Sequence, residues 1–419
     1  MEIGISIMNI SKAIIVFLGL AVLTQGGAGR PSRIGPDSKQ IHGEPIKSLG
    51  VEGRYVTING QPTFLVGQMS PGFAEGRSPH EICKILDLMM VPYGMNLVQG
   101  DQGVIYWGAW NNRENVRKGL EESYRPHQYP WKRTGGGETT FGGPRFNLDQ
   151  FDQKYFDGFH QQIKLLNERG IVPIVGIFSE HALDHPLHWK GHPFHPKNNI
   201  NNIGLPENDA LPEFFENERA LSYQEAYVRK LLSSLKGVHY ILSPFGEVNV
   251  APKTYINHWL RLFEKHERET GCELLVCMSG RSEILDVFAP DPVVDLIDIY
   301  CYHGGRYDEP EYNIPDGKHG IRRTLEEAWE KYHKPVGKLY FKYGYPYSDP
   351  KSPWADPKTG TDGGGPKTAA RDALCAVYES GGFGIYFKMA WARDRGRCLK
   401  PDSWSEYIKE FRQKLDSLP

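Results

Sequence analysis

The strongest constraint on the fold of this chain is a set of short apolar runs separated by longer, more polar segments. The runs are nearly continuous in apolar residues, which is typical of parallel strands buried on both faces of a sheet. Eight such runs are present, at 62–68, 95–100, 171–178, 238–246, 273–279, 296–303, 335–343 and 383–391. We number the predicted strands one to eight in this order.

Helical patterns lie between the predicted strands. Residues 78–94 begin with Ser78, Pro79 and Glu81, which suit the N-cap, first and third positions of a helix. Further helical patterns cover 148–170, 222–237, 255–271, 324–333 and 368–382. Strand–helix alternation of this kind predicts an α/β protein with a (β/α)8 TIM barrel. A doubly wound open sheet is the alternative, because the unit between strands five and six is short.

Three long connections follow predicted strands, at 101–147, 179–221 and 350–367. In a TIM barrel such connections form the catalytic face, so we expect all three to lie there. Residues 54–64 (RYVTINGQPTF) predict a hairpin with Asn59-Gly60 as its turn. No internal repeat or second domain is visible, and residues 30–419 are predicted to form a single domain.

The first 29 residues have the pattern of a secretory signal peptide. Lys12 precedes an apolar stretch at 13–23, and small residues follow at 26–29. The apolar stretch is shorter than the roughly 20 residues that span a membrane. We therefore expect a secreted or periplasmic protein that makes no membrane contact once residues 1–29 are removed.

Composition and missing motifs argue against several classes of protein. The net charge of -2 gives no sign of nucleic-acid binding. The six cysteines include no CxxC pair, which disfavours a zinc knuckle. The sequence has neither a phosphate-binding loop nor a GxSxG motif, and we expect no cofactor. Nothing in the sequence indicates an oligomeric state.

Several phrases of the sequence resemble one enzyme family. The segments GRYVTINGQPTFLVGQ, NLVQG, FDQKYFDGFHQQIKLLNERGIVPIVGIF and YVRKLLSSLKGVHYILSPFGEVN are similar to the apiosidase-like (DUF4038-type) family of secreted glycoside hydrolases. The resemblance covers residues 51–260. It implies membership of the large clan of retaining glycosidases with TIM barrels. In that clan strand four ends in an acid/base glutamate and strand seven in a nucleophilic glutamate.

The resemblance implies that Glu247, directly after strand four, is the general acid/base. A carboxyl group beside Phe245 at the barrel mouth is partly desolvated, which favours the protonated form that a general acid needs. The clan pattern is incomplete, because Gly246 stands where the clan usually has asparagine. Strand seven also has no carboxylate, so Tyr340 or Lys342 occupies the position of the nucleophile.

Three interpretations of the incomplete pattern remain open. In the first, the second catalytic group is Glu180 after strand three or Asp101 after strand two. A wide separation from Glu247 would then give an inverting enzyme. In the second, Tyr340 is the nucleophile and a nearby carboxylate is its base. In the third, hydrolysis is lost and the barrel binds sugar or catalyses another reaction.

Substrate-binding residues are predicted in and after several strands. The cations among them pair with the acids or bind an anionic sugar that carries a carboxylate or a sulfate. Trp391 would stack on a sugar face. The predicted substrate-binding residues are His181, Arg281, Tyr302, His303, Lys342, Lys388 and Trp391.

The segment 179–196 contains five histidines spaced by four and three residues. On a continuous helix this spacing would suit a metal ion, but three prolines break such a helix. We therefore expect a loop without a metal, in which the histidines and Trp189 hydrogen-bond to and stack on sugar. Packing of Trp189 within the loop is the alternative.

The sequence thus predicts a glycoside hydrolase that cleaves a plant or algal poly- or oligosaccharide, anionic ones included. One alternative is a polysaccharide lyase, in which Tyr340 or a histidine removes a proton next to a neutralised uronate. The other alternative is a non-catalytic carbohydrate-binding barrel. A carbohydrate is the expected partner in every case.

Overall fold

The structure is a computed structural model that describes residues 43–69, 79–100, 129–179, 186–208, 211–246, 251–299, 320–341, 367–387 and 403–416. Thirteen strands lie within these residues. They are β1 (Leu49–Glu52), β2 (Tyr55–Ile58), β3 (Gln61–Thr63), β4 (Leu65–Met69), β5 (Leu97–Gly100), β6 (Trp131–Glu138), β7 (Pro144–Phe151), β8 (Val172–Ser179), β9 (Ile241–Gly246), β10 (Leu275–Ser279), β11 (Leu296–Asp298), β12 (Val336–Phe341) and β13 (Gly384–Phe387).

Eight of these strands close into a barrel in the order β4-β5-β8-β9-β10-β11-β12-β13, and β13 pairs with β4. All eight neighbouring pairs are parallel. Each strand overlaps one of the eight predicted runs. The predicted TIM barrel is therefore confirmed, and the open-sheet alternative is wrong.

Helices surround the barrel and cover its outer face. The apolar stripe of each long helix packs on the strands, as in α6, where Ile256, Trp259 and Phe263 are buried. The described helices are α1 (Pro79–Met89), α2 (Gln153–Asn167), α3 (Pro186–Gly191), α4 (Leu211–Glu216), α5 (Glu218–Ser234), α6 (Lys253–Thr270), α7 (Ser282–Phe288), α8 (Ile321–Tyr332), α9 (Lys367–Glu379) and α10 (Ser403–Asp416), with a 3-10 turn at Val91–Tyr93. None of these helices is long and apolar enough to cross a membrane.

A small antiparallel sheet, β1-β2-β3, precedes the barrel. Its β2–β3 turn is the predicted Asn59-Gly60, and both residues have the positive φ that such a hairpin turn requires (54° and 76°). The Asn59 carboxamide also accepts the backbone N–H groups of Lys47 and Ser48. Val56 of this sheet packs into a second core cluster with barrel side chains such as Leu65, so the sheet covers one end of the barrel.

The C-terminal helix α10 is fixed to the barrel by a buried guanidinium group. Arg412 is 3% exposed and donates from Nε to the carbonyl of Gly94 at 3.0 Å. Its Nη2 donates to the carbonyl of Phe64 at 3.0 Å and to Asn96 Oδ1 at 2.8 Å. Asn96 in turn accepts the N–H of Val66. One side chain thus joins the last helix to the starts of β4 and β5.

Asp295, just before β11, gives the fold a pH-dependent stability. Desolvation raises the pKa of its carboxyl group to about 6, although its Oδ2 accepts the Val276 N–H at 2.8 Å. The folded state then binds more protons than the unfolded state between about pH 4 and 6, so stability falls as the pH rises through that range. We expect Asp295→Asn, which keeps an acceptor for Val276, to raise the free energy of unfolding by about 1–2 kcal/mol above pH 6. Urea unfolding at pH 4 and pH 7.5 measures this difference.

Asp286 provides a control of opposite sign. Hydrogen bonds from Lys331 and Tyr332 lower the pKa of its carboxyl group. Asp286→Asn should therefore be slightly less stable than the wild type at pH 7.5 and equal to it well below pH 4. An Asp295→Asn protein with the same stability as the wild type at both pH values would contradict the assignment.

Candidate active site at the carboxyl ends of the barrel strands

Three predicted acids follow three strands that are neighbours in the barrel. The strands end one residue before each acid: β5 before Asp101, β8 before Glu180 and β9 before Glu247. β8 pairs with both β5 and β9, and Ser179 lies opposite Gly246, so the ends of β8 and β9 are level. The three acids themselves lie outside the described residues, and their catalytic roles stay predictions.

An aromatic cluster fixes the ends of β8 and β9. Phe178 and Phe245, each two residues before a predicted acid, are 7% and 2% exposed and stack with ring centroids 6.1 Å apart. Tyr255 and Trp259 of α6 contact the Phe178 ring at 5.8 and 4.8 Å. The apolar surroundings expected next to Glu247 are therefore observed in the described residues, which include Phe245.

The strand that lacks a carboxylate is irregular. β12 lies four strands from β8 around the ring of eight, on the opposite side of the barrel. Its register with β13 shifts between Lys338 and Phe341, the segment that contains Tyr340. Such irregularities often redirect side chains at the rims of barrels. Lys342 and Lys388, predicted within strands, directly follow the last described residues of β12 and β13, and both lie outside the described residues.

Arg281 is the predicted binding residue that the structure describes fully. It follows the end of β10 by two residues, is exposed, and is the N-cap residue of α7. Its carbonyl accepts the N–H groups of Ile284 and Leu285. The remaining predicted binding residues lie outside the described residues: His181, Tyr302, His303 and Trp391.

Asp298 is a barrel acid that sequence reasoning missed. It is 6% exposed and lies opposite Ser279 of β10, which is 4% exposed. Two residues earlier, Cys277 and Leu296 are paired and belong to the same cluster as Leu65, which places this strand face toward the barrel interior. The Asp298 charge also contributes to the raised pKa of the Cys277 thiol, after desolvation. In the sequence, Asp298 lies within an otherwise ordinary apolar run.

In its described part the histidine-rich segment is the short helix α3, which begins at Pro186, followed by a packed loop. His192 and His195 are buried, and each accepts at Nδ1 the backbone N–H two residues further along the chain. Burial lowers the pKa of both imidazoles and keeps them neutral. Trp189 is 1% exposed and donates from Nε1 to the Pro206 carbonyl, so its predicted role as a sugar platform is wrong and the packing alternative is right. In the described part of the chain, no group of three or more His, Cys, Asp or Glu side chains is arranged to hold a metal ion.

Two buried asparagines, Asn198 and Asn201, join the two long loops that follow β5 and β8 by accepting the N–H groups of Thr140 and Leu148, and a third, Asn199, holds the second loop together. Asn198 donates to the carbonyls of Lys190 and His192, and Asn199 to those of Pro193 and His195. Asn201 accepts the Leu148 N–H of β7 at 2.8 Å. The β6–β7 hairpin and residues 186–208 therefore form one layer. The repeated asparagines in KNNINN (197–202) are the signal that could have indicated it.

A family model described as "Domain of unknown function (DUF6298)" matches residues 69–340, more than half of the chain. The chain belongs to the DUF6298 family. The matched range runs from the last residue of β4 to Tyr340 in β12, and it includes Asp101, Glu180 and Glu247. The resemblance to the apiosidase-like family is not confirmed by this match. No curated protein matches the chain.

Several solved structures share the barrel of this DUF6298 protein. A candidate glycoside hydrolase from Bacteroides vulgatus has 15% identity and a TM-score of 0.55, with 91% of this chain and 63% of that chain covered. An exo-beta-1,4-mannosidase from Opitutaceae bacterium strain TAV5 has 16% identity and a TM-score of 0.52, with 88% and 62% covered. A glycoside hydrolase family 5 mannosidase from Rhizomucor miehei has 12% identity and a TM-score of 0.54, with 87% and 95% covered.

These similarities show the fold. The DUF6298 chain spans less than two thirds of the length of the first two of these proteins. Fold alone does not determine chemistry, because TIM barrels support many reactions.

Proposed function

We propose that this protein is an exported glycoside hydrolase that acts on a plant or algal saccharide, with Glu247 as general acid. The observation that carries the proposal is the closed barrel in which β5, β8 and β9, the strands before Asp101, Glu180 and Glu247, are consecutive neighbours. Active sites of TIM-barrel enzymes lie at this end of the strands. The solved structures with the same fold include enzymes named as mannosidases, which supports a glycosidic substrate.

Two carboxyl groups are sufficient for the chemistry. The bond between the anomeric carbon and the glycosidic oxygen breaks while the proton of Glu247 moves to that oxygen. In the inverting reaction, water attacks the anomeric carbon and gives its proton to the second carboxylate. In the retaining reaction, the second carboxylate attacks the anomeric carbon and forms a glycosyl ester. Glu247, which has given its proton to the leaving oxygen, then removes a proton from the water that hydrolyses this ester.

Strand spacing separates the two candidates for the second group. Neighbouring strands lie about 4.8 Å apart, so carboxylates that follow the adjacent strands β8 and β9 are expected near the separation of about 5 Å that retaining enzymes use. β5 and β9 are two spacings apart, which suits the separation of about 6.5–9.5 Å that admits a water between the carboxylates. Retention thus supports Glu180 as the second group, and inversion supports Asp101.

Product analysis tests the proposal. The wild-type protein, incubated with a panel of plant and algal polysaccharides that includes mannan, should release reducing ends without new ultraviolet absorbance. Proton NMR of the first anomer released identifies retention or inversion. Retention should be accompanied by loss of turnover in Glu180→Gln, and inversion by its loss in Asp101→Asn. An unsaturated, ultraviolet-absorbing product would show a lyase, and binding without any product would show a carbohydrate-binding barrel.

A further inference from the structure

A cavity of about 300 Å³ lies in the layer formed by the β6–β7 hairpin and residues 186–208. Both parts of this layer are connections that follow barrel strands, so the cavity is on the same side of the barrel as the proposed active site. Its volume is at the lower end of the range for small-molecule sites. The side chains that line it are Tyr129, Arg133, Thr139, Phe141, Phe146 and Asn198.

Arg133 is held in place at the cavity wall by neutral acceptors. Its Nε donates to the Pro144 carbonyl at 2.9 Å, and its Nη2 donates to Thr139 Oγ1 and the Gly142 carbonyl. The guanidinium carbon lies 5.1 Å from the centroid of the Phe146 ring. Among the described residues, its Nη1 donates to no acceptor. The group is therefore fixed in position and has donor capacity left for a ligand.

The positive charge of Arg133 is not neutralised within the described part of the layer. Arg145, on the neighbouring strand, also donates to carbonyls, those of Pro196 and Asn199. Of the two hairpin acids, Asp149 is occupied by Asn201 and Tyr223. The other, Glu138, is exposed, and among the described residues both arginines bond to carbonyl and hydroxyl oxygens instead of to its carboxylate. Two half-buried guanidinium groups that have no carboxylate partner among the described residues favour an anionic ligand.

The other lining groups suit a sugar ring. Phe141 is 37% exposed, and an exposed ring beside a cavity offers a face for the C–H groups of a pyranose. Tyr129 packs edge-on against Phe146, with centroids 4.8 Å apart. Thr139 and Asn198 also line the cavity, but their polar atoms already bond to neighbouring loop residues, so they shape the wall and position Arg133. Apolar faces with a few placed polar groups are the usual composition of a binding pocket.

We infer that this cavity is an accessory subsite for one acidic sugar unit of the saccharide, with Arg133 bound to its carboxylate or sulfate and Phe141 beneath its ring. The inference rests on the proposed function only in taking the ligand to be a saccharide. Binding at this subsite does not need bond cleavage. It requires that acidic oligosaccharides bind more tightly than neutral ones of the same length.

Calorimetric titration of the full chain carrying Glu247→Gln tests the subsite without turnover. The probes are oligogalacturonides for carboxylates, carrageenan oligosaccharides for sulfates, and mannooligosaccharides as neutral controls. Arg133→Gln in this background should weaken binding of the preferred acidic probe by at least about tenfold and leave the neutral probe unchanged. Phe141→Ala should weaken it by about fivefold.

Lys132 is the matched control. It is exposed on the same strand and does not line the cavity, so Lys132→Gln removes one charge and should change affinity by less than about twofold. Arg133→Lys keeps the charge but loses the guanidinium bonds to Pro144, Thr139 and Gly142, and its affinity for the acidic probe should lie between those of the parent and Arg133→Gln. The inference is overturned if Lys132→Gln and Arg133→Gln have equal effects, if Arg133→Lys weakens binding as much as Arg133→Gln, or if no acidic probe binds better than the neutral one.

A wild-type chain that binds acidic probes but releases no product would contradict the proposed hydrolysis and leave the subsite standing.

Discussion

Glu247→Gln is expected to lower kcat on polysaccharide by about a thousandfold, within the range of 10²–10⁴ that general acid catalysis contributes. Glutamine has nearly the same shape but cannot give a proton to the leaving oxygen. The affinity for saccharide and the melting temperature should change little. Initial rates of reducing-end release, together with calorimetric titration of the inactive variant, measure these quantities.

The identity of the leaving group separates an acid from a nucleophile. An aryl glycoside with an acidic phenol as leaving group does not need protonation, so Glu247→Gln should keep kcat/KM on it, which reports cleavage of the aglycone, within about tenfold of the wild type. The matched control is Glu225→Gln on α5, which changes a carboxylate that contacts His258 and Arg229 at the surface. That variant should be fully active. Turnover by Glu247→Gln at more than a tenth of the wild-type rate on polysaccharide would remove Glu247 from the acid role.

The barrel could be predicted from sequence because its signal is local and repeated. Strands such as β8 and β9 are buried on both faces and therefore show as continuous apolar runs. The β2–β3 hairpin was equally accessible, because Asn59-Gly60 supplies the two positive φ angles of its turn from adjacent residues. The strand ends were less accurate: the sixth run was predicted to reach residue 303, whereas β11 ends at Asp298.

The packing around the candidate site could not be predicted, because it depends on contacts between distant residues. Trp189 is buried because it bonds to the Pro206 carbonyl and stacks on the His192 ring, and neither contact follows from composition. Asn201 bonds to Leu148, 53 residues earlier in the chain. The hydrogen-bond partners of a buried polar side chain are set by the folded structure, so sequence periodicity does not predict which residues they are. Asp298 was missed for a related reason, since a single acid in a short apolar run does not alter the pattern.

Arg412→Met is expected to lower the free energy of unfolding by about 3 kcal/mol. Methionine fills similar volume but leaves the Gly94 carbonyl without its donor, and it removes the bonds from Arg412 to Phe64 and Asn96. Each unsatisfied buried acceptor costs about 1–3 kcal/mol, partly offset because the charge no longer has to be buried. Urea unfolding followed by tryptophan fluorescence measures the change.

Two further variants distinguish the loss of the buried hydrogen bonds from a general effect of substituting a residue of α10. Gln413→Met places the same residue at the next, exposed position of α10 and should change stability by less than about 0.5 kcal/mol. Asn96→Ala removes the partner of Arg412 and the acceptor of the Val66 N–H, and its effect should not add to that of Arg412→Met, because the two side chains share one network. An Arg412→Met protein as stable as Gln413→Met would show that packing of Phe411 against Phe64 and Tyr378 holds α10 without the guanidinium, whereas additive effects would show that Arg412 and Asn96 act independently. Non-additivity is expected because the Phe64 carbonyl accepts from both Asn96 and Arg412, so the loss of either donor weakens the position of the other.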